Sequence, residues 1–309
     1  MSEATGVLDR RAAVDLPAAA IMVGLTFSWG LNGVAAKVSY AGFDPVFVAV
    51  VRAVIGALLV WAWCRYRGIA LTVQDGTLAA GTLAGALFGL EFLTLYIGLE
   101  HTTVARATLL VNTMPFWVLV GGHFLLGEDL SVRKTVGLLL AFAGMVTVFS
   151  DRLGPTGATA FYGDLLALSA GLLWALTNIV IKRSRLNGAV AEKLLLYQLA
   201  GSILVGTLAL PFAGQIIREP GASSVLALLF QGVFIVAFTY VVWFWLLRRY
   251  PASGLASFTF LTPAFGVLCG GILLGEPLGA RLLIALVLIA AGLIIVNRPP
   301  RRPPDHARP

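Results

Sequence analysis

Ten apolar stretches follow one another with only short gaps between them, and no soluble fold can hide that much hydrocarbon surface. They lie near residues 17 to 39, 45 to 63, 76 to 99, 103 to 126, 132 to 150, 161 to 182, 191 to 212, 223 to 247, 251 to 274 and 279 to 296. A bilayer core takes about 20 helical residues at ~1.5 Å rise each. Lipid gives backbone N–H and C=O groups no partner, so segments that cross it must bond internally as helices. Of the 309 residues, 59% are hydrophobic and 12% charged, which is about half the charged share of a soluble domain. The expected class is an all-α integral membrane protein with ten transmembrane helices.

The net charge of +7 and pI near 9.8 do not imply nucleic acid, because the basic residues sit in the gaps between spans. With the N-terminus in the cytoplasm, sixteen Lys and Arg fall on inner gaps and tails, among them Arg10, Arg65, Lys134, Arg183, Arg249 and Arg301. Five fall at outer ends (Lys37, Arg106, Arg152, Arg218 and Arg281), and Arg52 lies inside a span. That asymmetry follows the positive-inside rule and places both termini in the cytoplasm. Arg10 and Arg11 ahead of an apolar run imitate a signal peptide. Residues 29 to 37, however, have a mate deep in the chain, so the first span reads as a retained helix. Residues 1–16 are then a cytoplasmic tail, and residues 297–309, rich in Pro and Arg, a disordered one.

The chain is written twice. Met114-Pro115 to Leu126-Gly127-Glu128 recurs as Thr262-Pro263 to Leu274-Gly275-Glu276, and Gly144 recurs as Gly292, all at an offset of 148. Trp29 and Lys37 recur as Trp174 and Lys182 at an offset of 145. Residues 17–150 and 161–296 are therefore two five-helix repeats. Five is odd, so the second enters the membrane from the opposite side and the repeats are inverted. Inverted repeats let two similar halves exchange conformations and open one central site to alternate sides, which points to transport. The loops are too short for a soluble catalytic domain.

Signatures of catalysis or phosphate binding are missing: there is no His-Glu-x-x-His, no Gly-x-Ser-x-Gly, no Gly-rich phosphate loop and no Cys/His ligand cluster. No metal or cofactor is expected. His101 reads as an outer turn, His306 as tail, and His123 as a hydrogen-bonded residue near an inner helix end, with a proton relay as the sharper alternative. Cys64 and Cys269 read as packing residues at different depths.

Glu91 lies well inside the third span, where a carboxylate is costly and marks a functional site. It has two readings: a fixed ion pair with Arg106 that locks the hairpin, or a cavity carboxylate that meets a substrate ammonium or exchanges a proton. Its mate in the second half is Thr239. Arg52 aligns with Gln198 and reads as a helix tie or as an anion contact. Asn32 and Asn178 bring amides to mid-depth, one per half, with Trp29 and Trp174 a turn away. Pro115 and Pro263 sit mid-span, where the missing N–H weakens a helix, as packing kinks or as gating hinges. Asn112, Thr113, Thr259 and Thr262 are placed to satisfy freed carbonyls. Gly81, Gly85 and Gly89, and Gly266 with Gly270, form small-residue faces for close helix approach. Glu128 and Glu276 end spans at opposite membrane surfaces, where each meets the dipole of the following helix or ties its hairpin.

Two five-helix halves, each with Trp and Lys in the opening helix and a Pro to Gly-Glu run before a Gly-rich fifth helix, resemble the EamA family of the drug/metabolite transporter superfamily. The resemblance covers roughly residues 20 to 296. It implies a ten-helix exporter of the bacterial inner membrane whose central cavity is lined by the first, third, fourth, sixth, eighth and ninth spans. Many relatives are similar to exporters of threonine, homoserine, cysteine metabolites and aromatic amino acids. By position, Trp29, Asn32, Glu91, Asn112, Trp174, Asn178 and Tyr240 would face the cavity. The expected function is export of small amphipathic metabolites, amino acids first, by alternating access. The expected partners are that solute and the bilayer, with no nucleic acid, in a monomer or homodimer. Efflux of cationic drugs is the alternative, and a lipid-modifying enzyme or flippase accessory a remote one.

Overall fold

The computed structural model describes residues 13–72, 74–102, 104–150, 158–274 and 280–297, and among them every regular element is helical. The first half contains α1 (Leu16–Tyr40), α2 (Pro45–Arg67), α3 (Leu78–His101), α4 (Val104–Val111), α5 (Met114–Leu126) and α6 (Val132–Phe149). The second contains α7 (Ala158–Arg183), α8 (Ala191–Ala209), α9 (Ala222–Phe230), a π-helical segment Gln231–Thr239, α10 (Tyr240–Arg249), α11 (Ala252–Ser257), a 3₁₀ turn Phe258–Phe260, α12 (Leu261–Leu274) and α13 (Ala280–Asn297). Among the described residues eight helical stretches are long and apolar enough to cross a membrane, with α4–α5, α9–α10 and α11–α12 each acting as one. Residues 1–12 and 298–309 of the two tails, with His306, and the Gly275-Glu276 pair lie outside the described residues.

Local chemistry sets the boundaries. Asp15 caps α1 by accepting from the Ala18 N–H at 3.0 Å, and Asp44 caps α2 by accepting from Val46 N–H at 2.8 Å. Pro45 follows its cap directly and Pro17 follows Asp15 after one residue, both within the first turn, where a missing N–H costs nothing. Gly68 ends α2 in the left-handed region at φ 63°, which a residue with a Cβ resists. Gly127 ends α5 the same way at φ 69°.

The halves do not form separate bundles. First-half helices pack chiefly on second-half ones: α1 on α12 and α9, α2 on α8 and the π-helical segment, α3 on α7 and α8, α5 on α7, and α6 on α13. Close approach comes from glycine. A Cβ on Gly85 would overlap the Tyr197 carbonyl of α8, and one on Gly292 would fall 2.5 Å from the Gly137 carbonyl of α6. Lipid supplies no hydrophobic drive between helices, so this contact area is what holds them. Phe260, Met22, Met114, Leu138 and Met145 fill the centre. Large apolar side chains such as Leu283, Val287 and Ile294 on α13, and Phe212 after α8, stand exposed. A water-facing surface of that kind would aggregate, whereas hydrocarbon solvates it.

Candidate functional site

Where the two halves meet at mid-depth, the helices leave a cavity of about 240 Å³. Trp29 and Asn32 of α1, Glu91 of α3, Asn112 at the α4–α5 break, Trp174 and Asn178 of α7, and Tyr240 of α10 all line it. The structure thus brings together all seven residues proposed from the sequence. It also adds residues that were not singled out as lining: Phe88, Phe92, Thr177, Gln198, Trp243, Phe244 and Thr262. Most of these stand three or four positions from a residue already chosen, as Phe88 does from Glu91 and Trp243 from Tyr240. One helical turn brings such pairs onto a single face, which is the signal that finds them.

Polar satisfaction distinguishes the cavity from the rest of the molecule. Seven buried side-chain atoms among the described residues have no hydrogen-bond partner. Five of them line this space: Asn32 Oδ1, Glu91 Oε2, Asn178 Nδ2, Gln198 Oε1 and Thr262 Oγ1. Burying an unmatched polar atom costs about 1–3 kcal/mol, so such a concentration at one place marks surface shaped for something other than the protein. Thr262 was expected to serve a freed carbonyl and instead faces the cavity.

The charge arrangement corrects the sequence reading. Arg106 does not pair with Glu91. Its Nε lies 3.0 and 3.2 Å from the two carboxylate oxygens of Asp164 on α7, and its Nη2 completes the ion pair. Thr102 also donates to Asp164, at 2.7 Å. The reason is packing: α3 and α4 both lie against α7, so the outer end of the hairpin meets the other half before it meets itself. The cation acting on Glu91 is Arg52, whose guanidinium stacks 4.8 Å from the centre of the Phe92 ring. Gln198, the repeat mate of Arg52, faces the cavity.

Aromatic rings form one wall. Trp29 meets Trp243 edge-on at 5.6 Å and Tyr240 at 6.2 Å, and Phe88 meets Tyr240 at 6.2 Å. The Trp29 indole N–H donates to Thr239 Oγ1 at 3.0 Å, and that hydroxyl donates to the Ile235 carbonyl at 2.5 Å. This carbonyl is the one the Thr239 amide takes in an α-helix, and the backbone here is π-helical.

The prolines stand in the first turns of new helices rather than inside kinked ones. Asn112-Thr113 form a turn and α5 starts at Met114, one residue before Pro115; a 3₁₀ turn precedes α12, in which Pro263 is the third residue. Asn112 Nδ2 donates to the Thr108 carbonyl at 2.8 Å, Thr113 to Leu110 at 2.6 Å and Thr259 to Ala256 at 2.8 Å, each to a carbonyl that also takes a backbone N–H, so these bonds add to the turns rather than fill the carbonyls the prolines free.

Both ends of the molecule are tied across the halves. At one end stands the Thr102, Arg106 and Asp164 group. At the other, Tyr250 donates to Asp15 at 2.9 and 3.0 Å, and Lys182 bonds the Tyr250 carbonyl. Thr102 and Tyr250 are repeat mates at the offset of 148, and each reaches an Asp at or near the start of the opposite half's first helix. Glu128 is a further correction. It accepts from Ala252 N–H at 3.1 Å and Ser253 Oγ at 2.5 Å, capping α11 of the other half, while Ser131 caps the following helix α6. His123 is hydrogen-bonded as expected, with Nδ1 at 3.1 Å from the Glu128 carbonyl oxygen. His101 is the last residue of α3, not a turn. Cys64 and Cys269 are buried and unbridged.

The model of the EamA-like transporter family matches residues 16–150 and 161–298, the two halves described above. The chain belongs to the EamA-like transporter family. Its sequence is 26% identical over 275 residues to an uncharacterized transporter, YoaV, of Bacillus subtilis, covering 89% of this chain and 94% of the relative. A probable amino-acid metabolite efflux pump of Escherichia coli is 26% identical, with 86% and 90% covered. One crystal structure superposes with a TM-score of 0.79 at 22% identity, over 92% of this chain and 98% of the other. That likeness shows the shared fold. This EamA-family chain is therefore a membrane transporter with a doubled helical fold.

Proposed function

We propose that this transporter exports small amphipathic metabolites carrying an amino group, amino acids being the class to screen first, by alternating access across a bacterial inner membrane. One observation carries the reading: five unmatched buried polar atoms, one of them a carboxylate oxygen, line a single cavity between the halves beside an aromatic wall. Apolar rings with a few convergent polar groups are what a small amphipathic solute requires. The efflux pumps among its relatives support the direction of transport. In this reading α6 and α13 also cross the bilayer, giving ten crossings, the halves are inverted, and both termini are cytoplasmic. The two cross-half ties at opposite ends then open in turn. Efflux of large cationic drugs fits the acid and the rings as well, but 240 Å³ falls below the ~300–1,000 Å³ typical of drug-sized sites.

The test is counterflow of labelled amino acids and amines in liposomes containing only this protein. Exchange that lipophilic cations do not compete supports the reading, and no exchange with any of these solutes removes it. Glu91→Gln isolates the acid: unchanged uptake and unchanged pH dependence would withdraw its role.

A further inference from the structure

Resting on that reading, and narrowing it to a substrate class, we infer that the cavity selects a primary ammonium whose far end is uncharged, rather than a zwitterion or an anion. Among the described residues lining the cavity, Glu91 is the only charged one, and none is Lys, Arg or His. Arg52 stacks on the Phe92 ring and is not among the lining groups, so it offers a carboxylate no direct contact.

The hydrogen-bonding inventory points the same way. Among the fully buried atoms, Glu91 Oε2, Asn32 Oδ1 and Gln198 Oε1 are acceptors without donors, the Thr262 hydroxyl is unmatched, and Asn178 Nδ2 is an amide donor without an acceptor. A primary ammonium brings three N–H donors and a positive charge to a lining that has one carboxylate and further buried acceptors beside it. A substrate carboxylate would find only neutral donors, such as the Asn32, Asn178 and Gln198 amides, the Thr262 hydroxyl and the Trp174 indole N–H, with no cation among the described lining residues, and would leave part of its hydration unreplaced. Quaternary ammonium groups have the charge but no N–H, so they leave the same acceptors unmatched even against the aromatic wall. Trp29, Tyr240 and Trp243, packed edge-to-face, supply the apolar surface for the remainder of the molecule.

The experiment is a binding series on the full-length wild-type protein in detergent, by calorimetry against empty micelles. The ligands are phenylalaninamide, phenethylamine, phenylalanine, 3-phenylpropionate and phenyltrimethylammonium. The two primary amines are expected to bind at least about tenfold tighter than phenylalanine, the lower end of what an unmatched charged group costs, and tighter than the quaternary cation. No binding is expected for phenylpropionate. In Glu91→Gln the advantage of the amines over phenylalanine should vanish. Should phenylalanine bind as well as its amide, the inference falls while export of amino acids stands. Equal binding of the quaternary cation would show that charge alone is read, and would also overturn it. If none of the five binds and counterflow finds no exchange, both the inference and the export reading fail.

Discussion

Trp29 and Trp174 hold the same place in the two halves, and so do Thr239 and Glu91, yet the resulting pairs differ. In one pair the Trp29 indole is bonded to Thr239, which is itself bonded to the Ile235 carbonyl. In the other, the Trp174 indole N–H makes no hydrogen bond among the described residues, and Glu91 Oε2 has no partner. One pair has been completed by the protein, and the other presents its polar groups to the cavity. A duplicated scaffold thus yields a single asymmetric site, because one position can change chemistry without disturbing the helix packing that the halves share.

The most disruptive way to break this asymmetry is Thr239→Glu, which makes the two positions alike. A second buried carboxylate without a partner should cost about 3–5 kcal/mol, visible as a large loss of melting temperature and of folded yield. A wild-type melting curve would show that the Thr239 side tolerates charge. The converse exchange, Glu91→Thr, should cost less stability than Thr239→Glu, since Glu91 Oε2 bonds nothing in the protein and only the electrostatic attraction to Arg52 is lost. It should weaken amine binding by roughly 10- to 150-fold, the worth of a charged hydrogen bond at ~1.5–3 kcal/mol. Unaltered binding would mean that the open pair has no part in recognition.

Glu128→Ala tests whether the halves are joined as described, because it removes the cap on α11 donated by the other half. A loss of about 1–2 kcal/mol is expected, and an unchanged melt would discount the contact. Thr239→Val should cost about 1 kcal/mol through the lost indole bond and alter Trp29 fluorescence, while Thr239→Ser restores both. The smallest effect belongs outside the bilayer, at Asp75. Hydrogen bonds from Lys193 at 2.6 Å and Thr77 at 2.6 Å hold its carboxyl down from the usual 3.8 to about 2. A carboxyl depressed on folding stabilises fully above its unfolded value and loses that contribution as pH falls from 3.8 towards 2. Asp75→Asn should therefore differ slightly from wild type at pH 7, less near pH 2 and not at all well below it, where the carboxyl is neutral in both states.

The residues differ in how readily sequence reveals them. Depth along a span is easy to read, since it needs only counting from the ends, and this put Glu91, Asn32 and Asn178 well inside their spans, whereas the family resemblance implied that Trp29, Asn112, Trp174 and Tyr240 share a cavity with them. Rotation about the helix axis is harder. These helices are apolar nearly all round, so no amphipathic stripe marks the inward face. Phe88, Thr177 and Trp243 become legible only once a neighbour a turn away is known to face in. Charge partners were least legible: Arg106 was paired along its own hairpin, whereas the packing of α3 and α4 on α7 hands it to Asp164. Glu128 was misassigned for the same reason, because its partner lies 124 residues away.

By itself the sequence determined the membrane class, the doubling of the chain and the helical ends, because hydrophobic length, repeat offset, Pro, Gly and cap residues act locally or through composition. Only the tertiary structure decided which half each helix leans on. That cross-half packing, set by glycine-lined contacts rather than by any pattern along one helix, determines which polar atoms are matched within the protein and which five remain unmatched in the cavity.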